Sequence, residues 1–175
     1  MSNVAQISHY YLDRAAIGHK QCFMVPENAS IRRKNRIFAV QFMYSWSINR
    51  SRDAMTPEQL VDAFAGTYFP EQSDEYKFGR ELAAGTVENI DAVDDLIKEY
   101  ATNWTLDRIA IVDLAILRVA IYEMLFRSDV PPIVSINEAV DIGKILSTDD
   151  SGKFINGVLD GVKGRLSRPL RTTGI

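Results

Sequence analysis

A basic run near residue 31 is the first feature of the sequence that could bind a ligand. It contains Arg32, Arg33, Lys34 and Arg36, and the pattern that follows places these cations at the start of a helix. Cations at that end oppose the helix macrodipole, at a cost of roughly a few tenths of a kcal/mol each. Such an unfavourable position suggests a use, and an anion is the natural ligand. A solvated helix end explains the run equally well.

The last helix pattern carries a second candidate surface. Beside its apolar stripe lies a face made of Asp150, Phe154, Gly157 and Gly161. An aromatic ring with two glycines permits a close approach, either by a neighbouring helix or by a ligand. Helix packing is the simpler interpretation of this face taken alone.

No residue pattern indicates catalysis or metal binding. His9 and His19 are ten residues apart, and the sequence holds no phosphate-binding loop, dinucleotide-binding motif or zinc-protease motif. Cys22 is the only cysteine, which excludes a disulfide framework and a cysteine zinc site. Thiol chemistry would require His19 to meet Cys22 across one helical turn. We therefore expect a binding protein without a cofactor, and not an enzyme.

The element that must position these surfaces is a helix predicted over residues 106–124. Apolar residues lie on nearly every side of it, which is typical of a helix buried all round. Asp113, Arg118 and Glu123 interrupt the segment before it reaches the ~18 uncharged residues of a membrane span. We expect a central helix in a water-soluble protein, with no membrane contact.

Capping patterns and glycines predict where the other helices begin and end. The predicted starts are Thr56 with Pro57 and Gln59, Ser73 or Asp74, Ser135 with Glu138, and Thr148 with Asp149 and Asp150 in the first turn. Gly85 is predicted to bend or break the helix that ends near Ala101. No strand pattern stands out. We expect an all-α fold of about seven helices, in two helical subdomains that share a core around the central hydrophobic helix.

The overall composition is that of an ordinary globular domain. The chain has 175 residues and a net charge of −3, so nucleic-acid binding would have to come from a local basic patch. The N-terminus shows no secretory signal pattern, and a cytoplasmic location follows by default. We expect an extension over residues 1–30, a domain over 31–167 with subdomains near 31–102 and 105–167, and a basic tail over 168–175.

Three segments resemble the NusB family of bacterial transcription antitermination factors: ILRVAIYE, SDVPPIVSINEAV and DDSGKFINGVLD. The similarity begins with RRKNRIFAVQFMYSW and covers roughly Arg32 to Leu166. It implies an all-α RNA-binding protein that pairs with NusE, a small-subunit ribosomal protein, and grips the single-stranded boxA element of nascent RNA. The pair would promote antitermination, notably in ribosomal RNA operons, and would act indirectly with RNA polymerase and other Nus factors.

The resemblance also implies which residues bind each partner. The RNA-binding residues would be Arg32, Arg33, Lys34, Arg36, Gln41, Tyr44, Asp150, Ser151, Lys153, Phe154 and Asn156. The acidic positions that face NusE would be Asp107 and Asp113. These residue types suit the task, because single-stranded RNA takes cations for phosphates, aromatic rings for stacking and amides for base edges. Acidic side chains would suit a basic ribosomal protein.

Three features depart from the family pattern. The extension before Ile31 lies outside it, Gly152 stands where members commonly carry histidine, and Arg108-Ile109-Ala110 makes the entry to the central helix less typical. We expect these departures to affect RNA affinity and preference more than the fold.

Other classes of protein share parts of this pattern. A NusB-like domain also forms the N-terminal part of an RNA cytosine methyltransferase, but 175 residues leave no room for a cofactor-binding domain. A helix-turn-helix regulator would present an exposed recognition helix, whereas the helix after the basic run is mostly apolar. A protein-binding scaffold, or a divergent paralogue with weak RNA affinity, remains as the alternative.

Overall fold

The computed structural model describes residue 26 and residues 28–49, 55–70, 75–167 and 169–170. Every regular element within these ranges is an α-helix, which confirms the all-α prediction. The helices are α1 (Ile31–Asn49), α2 (Pro57–Tyr68), α3 (Lys77–Glu88), α4 (Ile90–Tyr100), α5 (Ile111–Phe126), α6 (Pro132–Leu146) and α7 (Asp149–Lys163). Outside the described residues lie most of the predicted extension with His9, His19 and Cys22, the predicted caps Ser73 and Asp74, and most of the basic tail.

The described helices divide into two compact units between Ala84 and Gly85. The first unit holds α1, α2 and most of α3, and the second holds the end of α3 and α4 to α7. The predicted subdomain bounds, near 31–102 and 105–167, stay a prediction.

A cluster of aromatic rings forms the core of the first unit. The ring centroid of Phe38 lies 5.5 Å from that of Phe64 and 5.1 Å from that of Tyr76, and Phe42 lies 5.5 Å from Phe64. All four rings are buried. Each such pair contributes about 0.5–1.5 kcal/mol beyond the area that it buries. The cluster packs α1 against α2 and against Tyr76, the residue just before α3.

The start of α2 follows its sequence signals. The Gln59 N–H donates to Thr56 Oγ1 at 3.4 Å, and the Thr56 N–H donates to Gln59 Oε1 at 3.0 Å. Pro57 occupies the first helical position, where a missing N–H costs nothing. The predicted capping box is confirmed.

Helix α5 is buried along most of its length and packs against α4, α6 and α7. Its charged residues are buried as well, and Arg118 makes a two-pronged ion pair with Asp94 at 2.7 and 2.8 Å. The helix begins at Ile111, not near Leu106 as predicted, because the chain forms a turn before it. The Arg108 N–H donates to the Thr105 carbonyl at 2.9 Å, which closes that turn.

Gly85 does not break a helix, contrary to the prediction. It lies inside α3, which ends at Glu88, and α4 begins at Ile90. Between them, the Asn89 side chain donates to the Gly85 carbonyl at 2.9 Å. A Cβ atom at Gly85 would overlap the phenol ring of Tyr122. The glycine therefore serves close packing in the second unit.

The predicted capping box at Ser135 and Glu138 is wrong. Helix α6 begins at Pro132, so Ser135 lies inside the helix and its side chain is buried. The helix can begin earlier because proline is well suited to the first helical position. At α7 the prediction is confirmed: the Ser151 N–H donates to Thr148 Oγ1 at 3.2 Å, with Asp149 and Asp150 in the first turn.

None of the helices in the described ranges is long and apolar enough to cross a membrane.

Candidate nucleic-acid interface

The basic run occupies the first two turns of α1, and its side chains differ in exposure. Ser30 caps the helix by accepting from the Arg33 N–H at 3.2 Å. Arg32 is exposed, Arg33 and Lys34 are half-buried, and Arg36 is buried with only 5% of its surface exposed. Three of the four cations can therefore present charge to an anion at this helix end. Arg36 is not a solvated side chain at a helix end, because it is buried.

The ring of Phe78 in α3 organises two of these cations. The guanidinium carbon of Arg32 lies 4.1 Å from the ring centroid, and that of Arg36 lies 5.6 Å from it. A cation over an aromatic face gains about 0.5–1 kcal/mol at an exposed site and more where it is desolvated. Sequence analysis missed Phe78, because only the packing of α3 on α1 brings the ring to the basic run.

Asn35 fixes the start of α1 against α3. Its buried side chain donates to the Ile31 and Glu75 carbonyls at 2.9 and 2.8 Å and accepts from the Gly79 N–H at 2.7 Å. A Cβ atom at Gly79 would lie 2.5 Å from the Asn35 carbonyl oxygen, so the two helices meet at a distance that only glycine allows. The basic run thus sits on a fixed helix end.

Gln41 and Tyr44, the helix-face residues that the resemblance assigns to RNA, are both buried. In this structure they offer little surface to a ligand. Their contact with RNA stays a prediction, and their direct role here is in the packing around α1.

The second predicted RNA segment lies on the first turns of α7. Asp150, Lys153 and Asn156 are exposed, and Phe154 is half-buried. Lys153 Nζ lies 3.1 Å from Asp150 Oδ1, and Asn156 Nδ2 donates to Asp160 Oδ2 at 3.1 Å. Pairs this exposed contribute about 0–1 kcal/mol, so a ligand can replace them at little cost.

Ser151 has a structural position within this segment. It is buried, and its hydroxyl lies 2.9 Å from both Ser147 Oγ and Thr148 Oγ1. These contacts hold the first turn of α7 against the end of α6. Gly152, which follows it, is buried with the Lys144 side chain 3.4 Å from where a Cβ atom would stand.

The face of Asp150, Phe154, Gly157 and Gly161 is used in part for helix packing. A Cβ atom at Gly161 would overlap the Tyr100 ring, so this glycine serves helix packing. Gly157 is exposed and has nothing within 4 Å of a Cβ position. Phe154 meets Trp104 edge to face, with ring centroids 6.1 Å apart and an angle of 65°. The sequence does not indicate this pairing, because Trp104 lies between two predicted helices and shows no periodic pattern.

The two acidic positions assigned to NusE differ in their surroundings. Asp107 is exposed, and hydrogen bonds from the Thr105 side chain and from its own backbone N–H lower the pKa of its carboxyl. Asp113 is buried in the first turn of α5, and its Oδ1 atom has no hydrogen-bond partner within the described ranges. Of these two residues, only Asp107 has an exposed side chain that a partner could reach.

Comparison with known proteins confirms the resemblance seen in the sequence. The model of the NusB family matches residues 33–163. Transcription antitermination protein NusB from Thermodesulfovibrio yellowstonii is 40% identical over 134 residues, which cover 74% of this chain and 89% of the relative. NusB from Syntrophotalea carbinolica is 40% identical over 157 residues, covering 82% and 96%. These relatives are antitermination proteins, which confirms the prediction of a protein that is not an enzyme.

Solved structures share the fold. The chain resembles T. maritima NusB with a TM-score of 0.65 and 34% identity, over 78% of this chain and 93% of the other. It also resembles a chain from a crystal structure of the antitermination factors NusB and NusE in complex with double-stranded RNA. That match has a TM-score of 0.66 and 24% identity, over 78% and 98% of the two chains.

Proposed function

The chain belongs to the NusB family, and we propose that it is a transcription antitermination factor that binds boxA-type single-stranded RNA together with NusE. It would act on nascent transcripts in the cytoplasm, notably those of ribosomal RNA operons. RNA polymerase and other Nus factors would be indirect partners.

The fixed basic start of α1 is the observation that supports RNA binding most directly. The Asn35 side chain ties this helix end to the start of α3 through two hydrogen bonds, to the Glu75 carbonyl and the Gly79 N–H. Phe78 lies against Arg32 and Arg36. Cations held in place lose less side-chain freedom when they meet a phosphate. Arg32, Arg33 and Lys34 are the cations with exposed surface, and they would contact the RNA backbone.

The exposed side of α7 would add contacts to the bases. Lys153 supplies a cation, Asn156 an amide and Phe154 a ring, which are the three kinds of group that single-stranded RNA recruits. The ion pair of Lys153 with Asp150 is exposed and easily exchanged for a phosphate.

NusE would bind near the entry to α5. The solved complex of a similar chain with NusE and RNA supports the same class of partner here. Asp107 is exposed, and the hydrogen bonds that lower the pKa of its carboxyl favour the charged form. A negative surface of this kind suits a basic ribosomal protein.

A protein-binding scaffold with weak RNA affinity is the second candidate. The observation that favours it is burial: Arg36, Gln41, Tyr44 and Ser151, all assigned to RNA by resemblance, offer little surface. This candidate keeps NusE as its partner and loses the RNA.

A gel-shift experiment separates the two functions. Labelled boxA-type RNA is mixed with the chain, with NusE, and with both proteins. We expect the tightest complex with both proteins, with an RNA of scrambled sequence as the control. NusE binding without any increase in RNA affinity would support the scaffold instead.

A further inference from the structure

Trp104 is a large exposed ring on a surface that is already partly aromatic. It lies in the connection between α4 and α5, and 50% of its surface is exposed. The other tryptophan, Trp46, is buried in α1. An indole this exposed leaves much apolar area in water, and aromatic residues with exposed rings are the ones that nucleic-acid-binding proteins use for stacking.

The Phe154 ring holds Trp104 at one edge of α7. The two rings meet at 65° with their centroids 6.1 Å apart, an edge-to-face contact. Half of the Trp104 surface stays exposed in this contact, so part of the residue is accessible to a flat group. We call this angled pair of rings, Trp104 and Phe154, the aromatic corner.

Gly157 leaves the space beside this corner open. It lies one helical turn after Phe154 on α7, is exposed, and has nothing within 4 Å of a Cβ position. Glycine inside a helix costs about 1 kcal/mol relative to alanine. Gly161, by contrast, is explained by the Tyr100 ring that packs on it. No packing contact within the described residues explains Gly157.

We propose that Trp104 and Phe154 form a stacking site for one nucleobase of the bound RNA, with Gly157 leaving room for the sugar and phosphate. The inference rests on the proposed RNA-binding function and adds Trp104 to it. The occupant is a base because the corner is aromatic, and the exposed Lys153, which precedes Phe154 on α7, supplies a cation for the phosphate. A purely structural contact between Trp104 and Phe154 would tie the connection to α7 without any ligand.

An abasic scan of the RNA tests this site. The complex of the chain with NusE is titrated with boxA-type RNA in which each base is removed in turn. We expect Trp104→Ala to weaken binding of the intact RNA between about 5-fold and about 100-fold. One abasic position should cost a similar factor with the unchanged chain and nothing further with Trp104→Ala. Trp104→Phe should keep most of the affinity, because it keeps a ring.

Phe126→Ala is the matched control. Phe126 is 48% exposed and stacks on Tyr122 at 5.2 Å, so it resembles Trp104 in exposure but lies on α5. We expect it to leave the abasic scan unchanged. Tryptophan fluorescence gives an independent readout: RNA should quench the emission of the unchanged protein, whereas Trp104→Phe, which retains only the buried Trp46, should lose that response.

Each contrary outcome has a distinct meaning. If every abasic position costs the same with the unchanged chain and with Trp104→Ala, the stacking site is refuted and the proposed function stands. If Trp104→Ala weakens NusE binding in the absence of RNA, Trp104 is a protein contact and the inference is wrong. If the unchanged complex does not bind boxA-type RNA, the proposed function fails, and the stacking site fails with it.

Discussion

Asp113 is buried with 6% of its surface exposed, whereas Asp107 is exposed. A lysine in place of Asp113 would bury a cation, and unpaired buried charges are among the changes that destabilise proteins most. A lysine in place of Asp107 would change only the surface charge. A substitution at Asp107 therefore tests partner binding, whereas one at Asp113 mainly tests folding.

We expect Asp107→Lys to weaken NusE binding and to leave the free energy of unfolding within about 0.5 kcal/mol of its original value. Titration calorimetry gives the affinity, and urea unfolding gives the stability. Asp113→Lys should cost about 2 kcal/mol or more of stability, so its effect on NusE binding is not a clean measure. Unchanged NusE affinity in Asp107→Lys would remove this residue from the interface.

Residue types in the sequence indicated a basic surface, but they could not give the exposure of each cation. Arg36 is buried and lies near Phe78, a contact that depends on the packing of α3 on α1. Trp104 gave no signal, because a single aromatic residue in a connection has no periodicity to set it apart. In both cases the surroundings of the residue depend on a contact with a residue far along the chain, Phe78 for Arg36 and Phe154 for Trp104.

The junction of α1 and α3 is the element that positions the basic run. We expect Asn35→Ala to cost about 2–4 kcal/mol, since it removes three hydrogen bonds and leaves the Gly79 N–H buried without a partner. RNA affinity should fall in the same variant. Urea unfolding and a gel shift measure the two effects.

Asn35→Asp provides the control for this junction. It keeps an acceptor for the Gly79 N–H and loses the two donated hydrogen bonds. Its stability should also fall, because a buried carboxylate oxygen would face the Ile31 and Glu75 carbonyls that now accept from the amide. Equal stability in all three proteins would mean that Asn35 does not fix the helix end.

Helix α5 carries the core of the second unit. Leu117 is fully buried, and we expect Leu117→Ala to cost about 2–5 kcal/mol in urea unfolding. Ile111→Ala is the matched control on the same helix, where 36% of the side chain is exposed and the loss should be smaller. If the two substitutions cost the same, α5 is not the core helix that its burial indicates.

Local signals predicted the helix starts well where a side chain supplies the cap. Thr56 and Thr148 both cap as the sequence indicates. Ser135 failed as a cap because Pro132 begins α6 three residues earlier. Gly85 failed as a break because its role depends on Tyr122, which lies far along the chain. Element boundaries follow local chemistry until a long-range contact overrides it.

The molecule as a whole carries a net charge of −3, so RNA binding depends on where its cations lie. The family and the all-α fold could be predicted from sequence segments, because those segments are long and specific. If NusE and RNA strengthen one another's binding, the coupling must be reciprocal, so RNA would raise the affinity for NusE by the same factor.

The dependence of RNA affinity on salt tests the basic start of α1 most directly. Each phosphate neutralised on single-stranded RNA adds ~0.7 to the slope of log affinity against log salt, so contacts from Arg32, Arg33 and Lys34 predict a slope near −2. Replacing Arg32 and Arg33 with glutamine should weaken binding and flatten the slope by about 1.4. Replacing Lys98 and Arg165, two exposed cations elsewhere, makes the same charge change and should leave the slope unchanged. A doubly substituted Arg32 and Arg33 protein that kept both the affinity and the slope of the original would contradict RNA binding at this helix end.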